Sequence, residues 1–159
     1  YIFKFLLMPY RAYRIIFRLT LLKYYKIRGA RIGSHTYLGP NVYLDVNHRP
    51  GKIIIGKNCY ITRNCSILVH SDAFMGGPLH IFKKNNGNRI FGDVVIGDNV
   101  FIGFHSVVLP NVKIGKDSVI GAMTLVLDDV PAGSIVAGVP GKVVGSIYDK
   151  LDISVSNQK

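Results

Sequence analysis

Residues Val95 to Val130 read VIGDNVFIGFHSVVLPNVKIGKDSVIGAMTLVLDDV, and they count in sixes. Aliphatic residues fall at Ile96, Ile102, Val108, Ile114, Ile120 and Val126. A small or β-branched residue follows each of them four places later, at Val100, Ser106, Val112, Ser118, Thr124 and Val130. The residue directly after each aliphatic runs Gly97, Gly103, Leu109, Gly115, Gly121, Leu127, so it repeats only every eighteen. A period of six nested in eighteen predicts three short strands per turn of a coil, one side of which differs from the other two. Neither a helical heptad nor hairpin alternation produces that count. Stacked coils of this kind bury one continuous core, so the chain reads as all-β, a parallel β-helix of hexapeptide repeats.

Working outward, hexads start at Ile32, Leu38 and Leu44, then at Ile55, Ile61 and Ile67, and resume at Ile96. Five residues are extra between Leu44 and Ile55, and twenty-three between Ile67 and Ile96. Both insertions leave the coil after a third-side strand and are predicted to emerge on one vertical edge. Long loops in a compact repeat are usually functional or disordered, which makes that edge the place to look for chemistry. The domain plan is a segment 1–30, a coil domain 31–147 with a loop insertion 71–94, and a tail 148–159. The loop FMGGPLHIFKKNNGNRIFGD reads as a flap with a turn at Asn85-Asn86-Gly87.

At 159 residues the chain is one domain with room for a core, and 17 glycines suit tightly turning strands. Cys59 and Cys65 are six apart in the small inward position of their hexads. They read as core residues rather than a disulfide or metal site, which implies a reducing compartment. A net charge of +11 points to an anionic partner: a membrane surface, a nucleotide cofactor or a nucleic acid.

Residues 1–28, YIFKFLLMPYRAYRIIFRLTLLKYYKIR, differ in kind from the repeats. Lys4, Arg11, Arg14 and Arg18 recur at helical spacing among apolar residues, and no acidic residue precedes Asp45. The apolar runs are far shorter than a membrane span of about twenty residues, and no signal-peptide pattern is present. Pro9 is expected to start or kink the helix. Two readings stay open: an amphipathic helix lying on an anionic membrane, or a cap over the open end of the coil. Eight Lys or Arg lie in the first 31 residues, a concentration that argues against nucleic-acid binding.

The repeats resemble the left-handed β-helix acyltransferases of the hexapeptide-repeat family. The end of the coil, IGAMTLVLDDVPAGSIVAGVPGKVV, is similar to the small sugar O-acetyltransferases of that family. The resemblance covers about residues 30–147 and is specific for fold. It implies a left-handed coil, against the usual right-handed rule for parallel crossovers; the spacing does not set the hand. It also implies acetyl-CoA as acyl donor, a saccharide acceptor and a homotrimer whose donor groove needs two chains.

His70 is the fourth residue of the hexad from Ile67 and is predicted to point outward at the mouth of the long insertion, with Asn47 and Asn111 equivalent to it. A histidine is the natural base for a hydroxyl proton near neutral pH. SILVHSDAF resembles the family's histidine closely followed by an aspartate, which implies His70 as base and Asp72 as its orienting partner. The family often has the aspartate immediately after the histidine, and here Ser71 intervenes. His80, in PLHIF, is the rival base or an acceptor contact, and His48 in the shorter insertion lies close enough to touch the acceptor. Phe74, Phe82 and Phe91 would stack on a sugar or anchor the flap. His35 and His105 read as surface or interface residues. For the donor, the resemblance implies Phe104 in IGFHS, Ala122 in IGAMT, and Lys142 in VPGKVV against a CoA phosphate. Leu127-Asp128 stands where relatives usually carry Thr-Lys, so one phosphate contact is lost unless Lys83, Lys84 or Lys113 replaces it.

The leading expectation is direct acetyl transfer to a sugar hydroxyl, with backbone amides holding the oxyanion and no covalent acyl-enzyme, since both cysteines point inward. N-acetylation of an aminosugar would use the same parts. The trimeric zinc carbonic anhydrases share the fold but need a histidine pair four residues apart plus a third histidine. The five histidines here form no such pair, so no metal is expected. A catalytically silent, membrane-associated scaffold is the other alternative. The expected place is the cytoplasm, with the inner face of the membrane as a peripheral option.

Overall fold

The computed structural model describes residues 10–46, 51–71 and 90–149. In them the chain winds as a left-handed parallel β-helix with three sheets forming the sides of a prism. The first coil is β1 (Arg31–Ile32), β2 (Tyr37–Leu38) and β3 (Tyr43–Leu44). The second is β4 (Ile53–Ile55), β5 (Tyr60–Ile61) and β6 (Ser66–Ile67). A small ladder of β7 (His70–Ser71) and β8 (Ile90–Phe91) intervenes. The third coil follows as β9 (Val94–Ile96), β10 (Phe101–Ile102) and β11 (Val107–Val108). The fourth is β12 (Lys113–Ile114), β13 (Val119–Ile120) and β14 (Leu125–Val126).

The count in sixes explains this stacking. In each two-residue strand of the four coils the first side chain faces out and the second faces in, and the inward aliphatics stack on one another. Register passes both insertions unbroken: Leu44 pairs with Ile67, and Ile55 pairs with Ile96. Ile61, Ile67, Ile102, Val108 and Ile120 are fully buried. At corners the third residue after the aliphatic adopts a left-handed backbone, as at His35, Asn41, Asn58, Asn64, Asn99, His105, Asn111 and Asp117. Asn, Asp and His tolerate that region better than other residues with a Cβ. His35 and His105 therefore serve as corner residues, and His105 Nε2 also shares a 3.1 Å hydrogen bond with Asn64 Nδ2.

The small position four places on points inward and carries its polar groups satisfied. Ser106 Oγ donates to Gly121 O at 2.8 Å, and the Cys59 and Cys65 thiols donate to Gly97 O and Gly103 O at 3.0 and 3.1 Å. Each donor bonds upward to a carbonyl of the next coil, so the buried hydroxyls and thiols help hold coils together. Both cysteines are free and buried.

The helix α1 (Tyr10–Ile27) packs over the first coil. Tyr25 is buried; its hydroxyl donates to Val42 O at 2.8 Å and accepts from Leu44 N at 3.2 Å. Leu21 and Leu22 pack beside it against the core. One face of the helix thus acts as a cap, while Leu19 and Ile27 on other faces stay exposed. At the far end β15 (Ser134–Ala137) continues the second side in parallel. β16 (Lys142–Ser146) then reverses and pairs antiparallel with it, so the coil ends there.

Candidate active site

The third corner of the prism, where both insertions leave, holds a half-buried histidine paired with a buried aspartate. β3 delivers Asp45 directly after its inward Leu44, and β6 leads into His70 in β7. His70 Nδ1 is hydrogen-bonded to Asp45 Oδ2. The Asp45 side chain is fully buried and that of His70 is 18% exposed. Asp45 Oδ2 also accepts from the Val69 amide at 3.2 Å, and Oδ1 accepts from the Tyr43 hydroxyl at 3.4 Å. Burial, with Asp45 adding to it, raises the Tyr43 phenol above its ordinary range, so Tyr43 remains the donor. A carboxylate in so dry a place needs these donors, because an unpaired buried charge is strongly disfavoured.

The chemistry follows from the nitrogen that is occupied. A carboxylate accepts hydrogen bonds only, so the proton between the two residues sits on Nδ1. Nε2 is left as the ring nitrogen available to exchange a proton with a bound molecule. At the mouth of the long insertion, where an outward His70 is expected, the residue is half-buried in a two-residue ladder, paired with Phe91, whose ring centroid lies 6.4 Å from the imidazole. Closure of the base of the insertion by β7 and β8 is what draws it in.

Asp45 is the residue that sequence reasoning passed over. The Nδ1 partner expected was Asp72, which lies outside the described residues, as do His48, His80, Asn47, Phe74, Phe82, Lys83 and Lys84. A signal for Asp45 existed: it occupies the place held in the other coils by Leu68, Leu109 and Leu127. An acid at an otherwise leucine position, opening onto an insertion, marks the corner.

The residues matched to the donor lie elsewhere. Phe104 and Ala122 are exposed on the second corner, in successive coils, and Lys142 is exposed where β16 begins above them. Gly103 lets those coils close: a Cβ there would lie 2.5 Å from Ala122 N. One chain therefore gathers Phe104, Ala122 and Lys142 toward one corner and His70 with Asp45 at another. Asp128, exposed, belongs to the third corner. Among the described residues no group of three or more His, Cys, Asp or Glu is placed to hold a metal ion. Burial raises both cysteine thiols above their ordinary range, which keeps them protonated and removes them as nucleophiles.

A family model described as bacterial transferase hexapeptide (six repeats) matches residues 93–128. The galactoside O-acetyltransferase of Escherichia coli (strain K12) is 36% identical over 121 residues, covering 74% of this chain and 57% of that relative. The chain thus spans little more than half the length of that relative. A hexapeptide-repeat acetyltransferase from Vibrio cholerae matches with a TM-score of 0.63 at 29% identity, over 75% of this chain and 63% of the other. A galactoside acetyltransferase solved in complex with coenzyme A matches with a TM-score of 0.53 at 30% identity, over 77% and 67% of the two chains.

Proposed function

This chain belongs to the hexapeptide-repeat acyltransferase family, and we propose that it moves an acetyl group from acetyl-CoA to a hydroxyl of a sugar or saccharide intermediate. The observation that carries the reading is the His70–Asp45 pair at the corner from which both insertions leave. The relative that acetylates galactosides and the neighbour bound to coenzyme A support the acceptor and donor classes.

In the proposed reaction His70 Nε2 takes the proton of the acceptor hydroxyl as its oxygen attacks the thioester carbonyl. The carbon–sulfur bond of the tetrahedral intermediate then breaks, and the imidazolium returns the proton to the departing CoA sulfur. Asp45 stays ionised, holds Nδ1–H in place and stabilises the transient cation, so we assign it the orienting role in place of Asp72. A positioned base of this kind is worth about 10²–10⁴ in rate. The donor would lie along the second corner of a neighbouring subunit, against Phe104 and Ala122, with Lys142 as a point charge for a phosphate. The assembly proposed is a homotrimer, and His48 and His80 are retained as acceptor contacts.

A silent scaffold is disfavoured by the same pair, because an inert coil gains nothing from a carboxylate buried where its other turns carry leucine. N-acetylation of an aminosugar uses the same base and differs only in the acceptor atom. The test is release of CoA thiol from acetyl-CoA in the presence of a panel of sugars and aminosugars, with His70→Ala beside the wild type. Equal rates in both proteins would overturn the assignment.

A further inference from the structure

The outward face of α1 has a character that capping does not use. At about 100° per residue, Leu21, Leu22 and Tyr25 define the side packed on the coil. Ile16, Leu19, Lys23 and Ile27 fall on the opposite side, and all four are exposed, Leu19 at 56% and Ile27 at 74%. Ile15 and Lys26 flank them and are exposed too. Aliphatic side chains interleaved with lysines on one helical face match the interface between lipid headgroups and acyl chains. The charge is segregated: eight of the chain's twenty Lys and Arg lie in residues 1–31, and none of its nine acidic residues does. No helix among the described residues is long and apolar enough to cross a membrane.

We propose that this face of α1 docks on an anionic membrane surface. A second copy of the chain fits it less well, because an isologous contact here would set lysine against lysine with no acid in the segment to relieve them. The same geometry fixes which part of the enzyme meets the bilayer. Asp45 belongs to the first coil and His70 follows the second, so the pair lies about one or two strand spacings of roughly 4.8 Å from the capped end. Docking through α1 holds the third corner beside the lipid surface. This proposal is independent of the acetyl-transfer reading, since vesicle binding is its readout.

The test is co-sedimentation of the full chain with phosphatidylcholine vesicles containing roughly 30% phosphatidylglycerol. Binding is expected to these vesicles and not to pure phosphatidylcholine, with release as salt rises from about 0.1 M to about 1 M. Lys23→Glu/Lys26→Glu should weaken partitioning by at least about 30-fold. Leu19→Ser/Ile27→Ser should weaken it by about tenfold or more. All four side chains are exposed, so thermal unfolding should stay at the wild-type value and serve as the folding control. Wild-type binding by both variants, or equal binding to neutral vesicles, would overturn the proposal. So would a change of oligomeric state in the variants with vesicle binding intact, which would make the face a subunit contact.

Discussion

Removing His70 should damage stability as well as catalysis, and the two losses can be separated. With the imidazole gone, the Asp45 carboxylate loses the bond from Nδ1, while the Val69 amide at 3.2 Å and the Tyr43 hydroxyl at 3.4 Å still reach it. Leaving a fully buried charge without the partner that compensates it costs about 3–5 kcal/mol. Here His70 is 18% exposed, so water entering the vacated space offsets part of that. The expected destabilisation of His70→Ala is about 2–4 kcal/mol. Replacing the carboxylate by an amide removes the buried charge that has lost its imidazole partner, so Asp45→Asn/His70→Ala should recover about 1.5–3 kcal/mol of it. Activity should not recover: both proteins should turn over about 10²–10⁴ more slowly than wild type. Asp45→Asn alone should lose between about 10-fold and 10⁴-fold, because the amide no longer dictates which ring nitrogen holds the proton.

The assays are urea unfolding at one fixed protein concentration, since assembly couples to stability, and CoA release with a saccharide acceptor. A His70→Ala protein as stable as wild type would show that Asp45 does not depend on the pair. Full activity in Asp45→Asn would make the carboxylate structural only. Additive stability effects in the double variant would refute the coupling itself.

The native protein should show no thiol reaction with Ellman's reagent at mildly alkaline pH and two thiols after unfolding, because burial raises both Cys59 and Cys65 and keeps them protonated. Gly97→Ala should lower stability by about 1–3 kcal/mol, since its Cβ would lie 2.6 Å from Lys116 N, whereas Gly145→Ala, 3.9 Å from Ile135 Cδ1, should be near neutral by the same unfolding assay. Mixing His70→Ala with Phe104→Asp chains, each inactive alone, should restore activity at about a quarter of the subunit interfaces if one chain supplies the base and its neighbour the donor groove; no recovery on refolding the two together would place both parts in one chain.

Most of the fold was legible because the core sets the period. Every aliphatic in the count from Ile32 to Val126 points inward, and the side assigned to Ile96 survived a gap of twenty-three extra residues. The corner residues were also present as a pattern, Asn, His or Asp three places after the aliphatic, though their left-handed backbone is a three-dimensional reason for it. The Asp45–His70 contact was not legible, because the two residues are 25 apart and meet only when the second coil stacks on the first. Spacing along the chain alone favours Asp72, two residues from His70. The reversal at β16 escaped the count for a different reason: the hexad ends before it, and nothing periodic remains to read.

The separation of the corners has a further consequence for mechanism. Residues on one corner approach one another through coil stacking, at about 4.8 Å per turn, but residues on two corners are kept apart by a whole side of the prism. No rotamer change brings Phe104 or Ala122 to His70 within a chain whose core is close-packed. A donor held at the second corner can meet a base at the third only when a neighbouring prism lays one against the other, and a closed ring does so three times with one kind of contact. In the proposed assembly each subunit would hold its own His70 in place through Asp45, while α1 grips the strand that delivers that aspartate, through Tyr25 to Val42 O and Leu44 N. Those two bonds tie the cap to the residue next to Asp45, so loosening α1 from the coil would be felt at the imidazole. For that reason substitutions on the exposed face of the helix, and not its deletion, are the clean way to separate docking from catalysis.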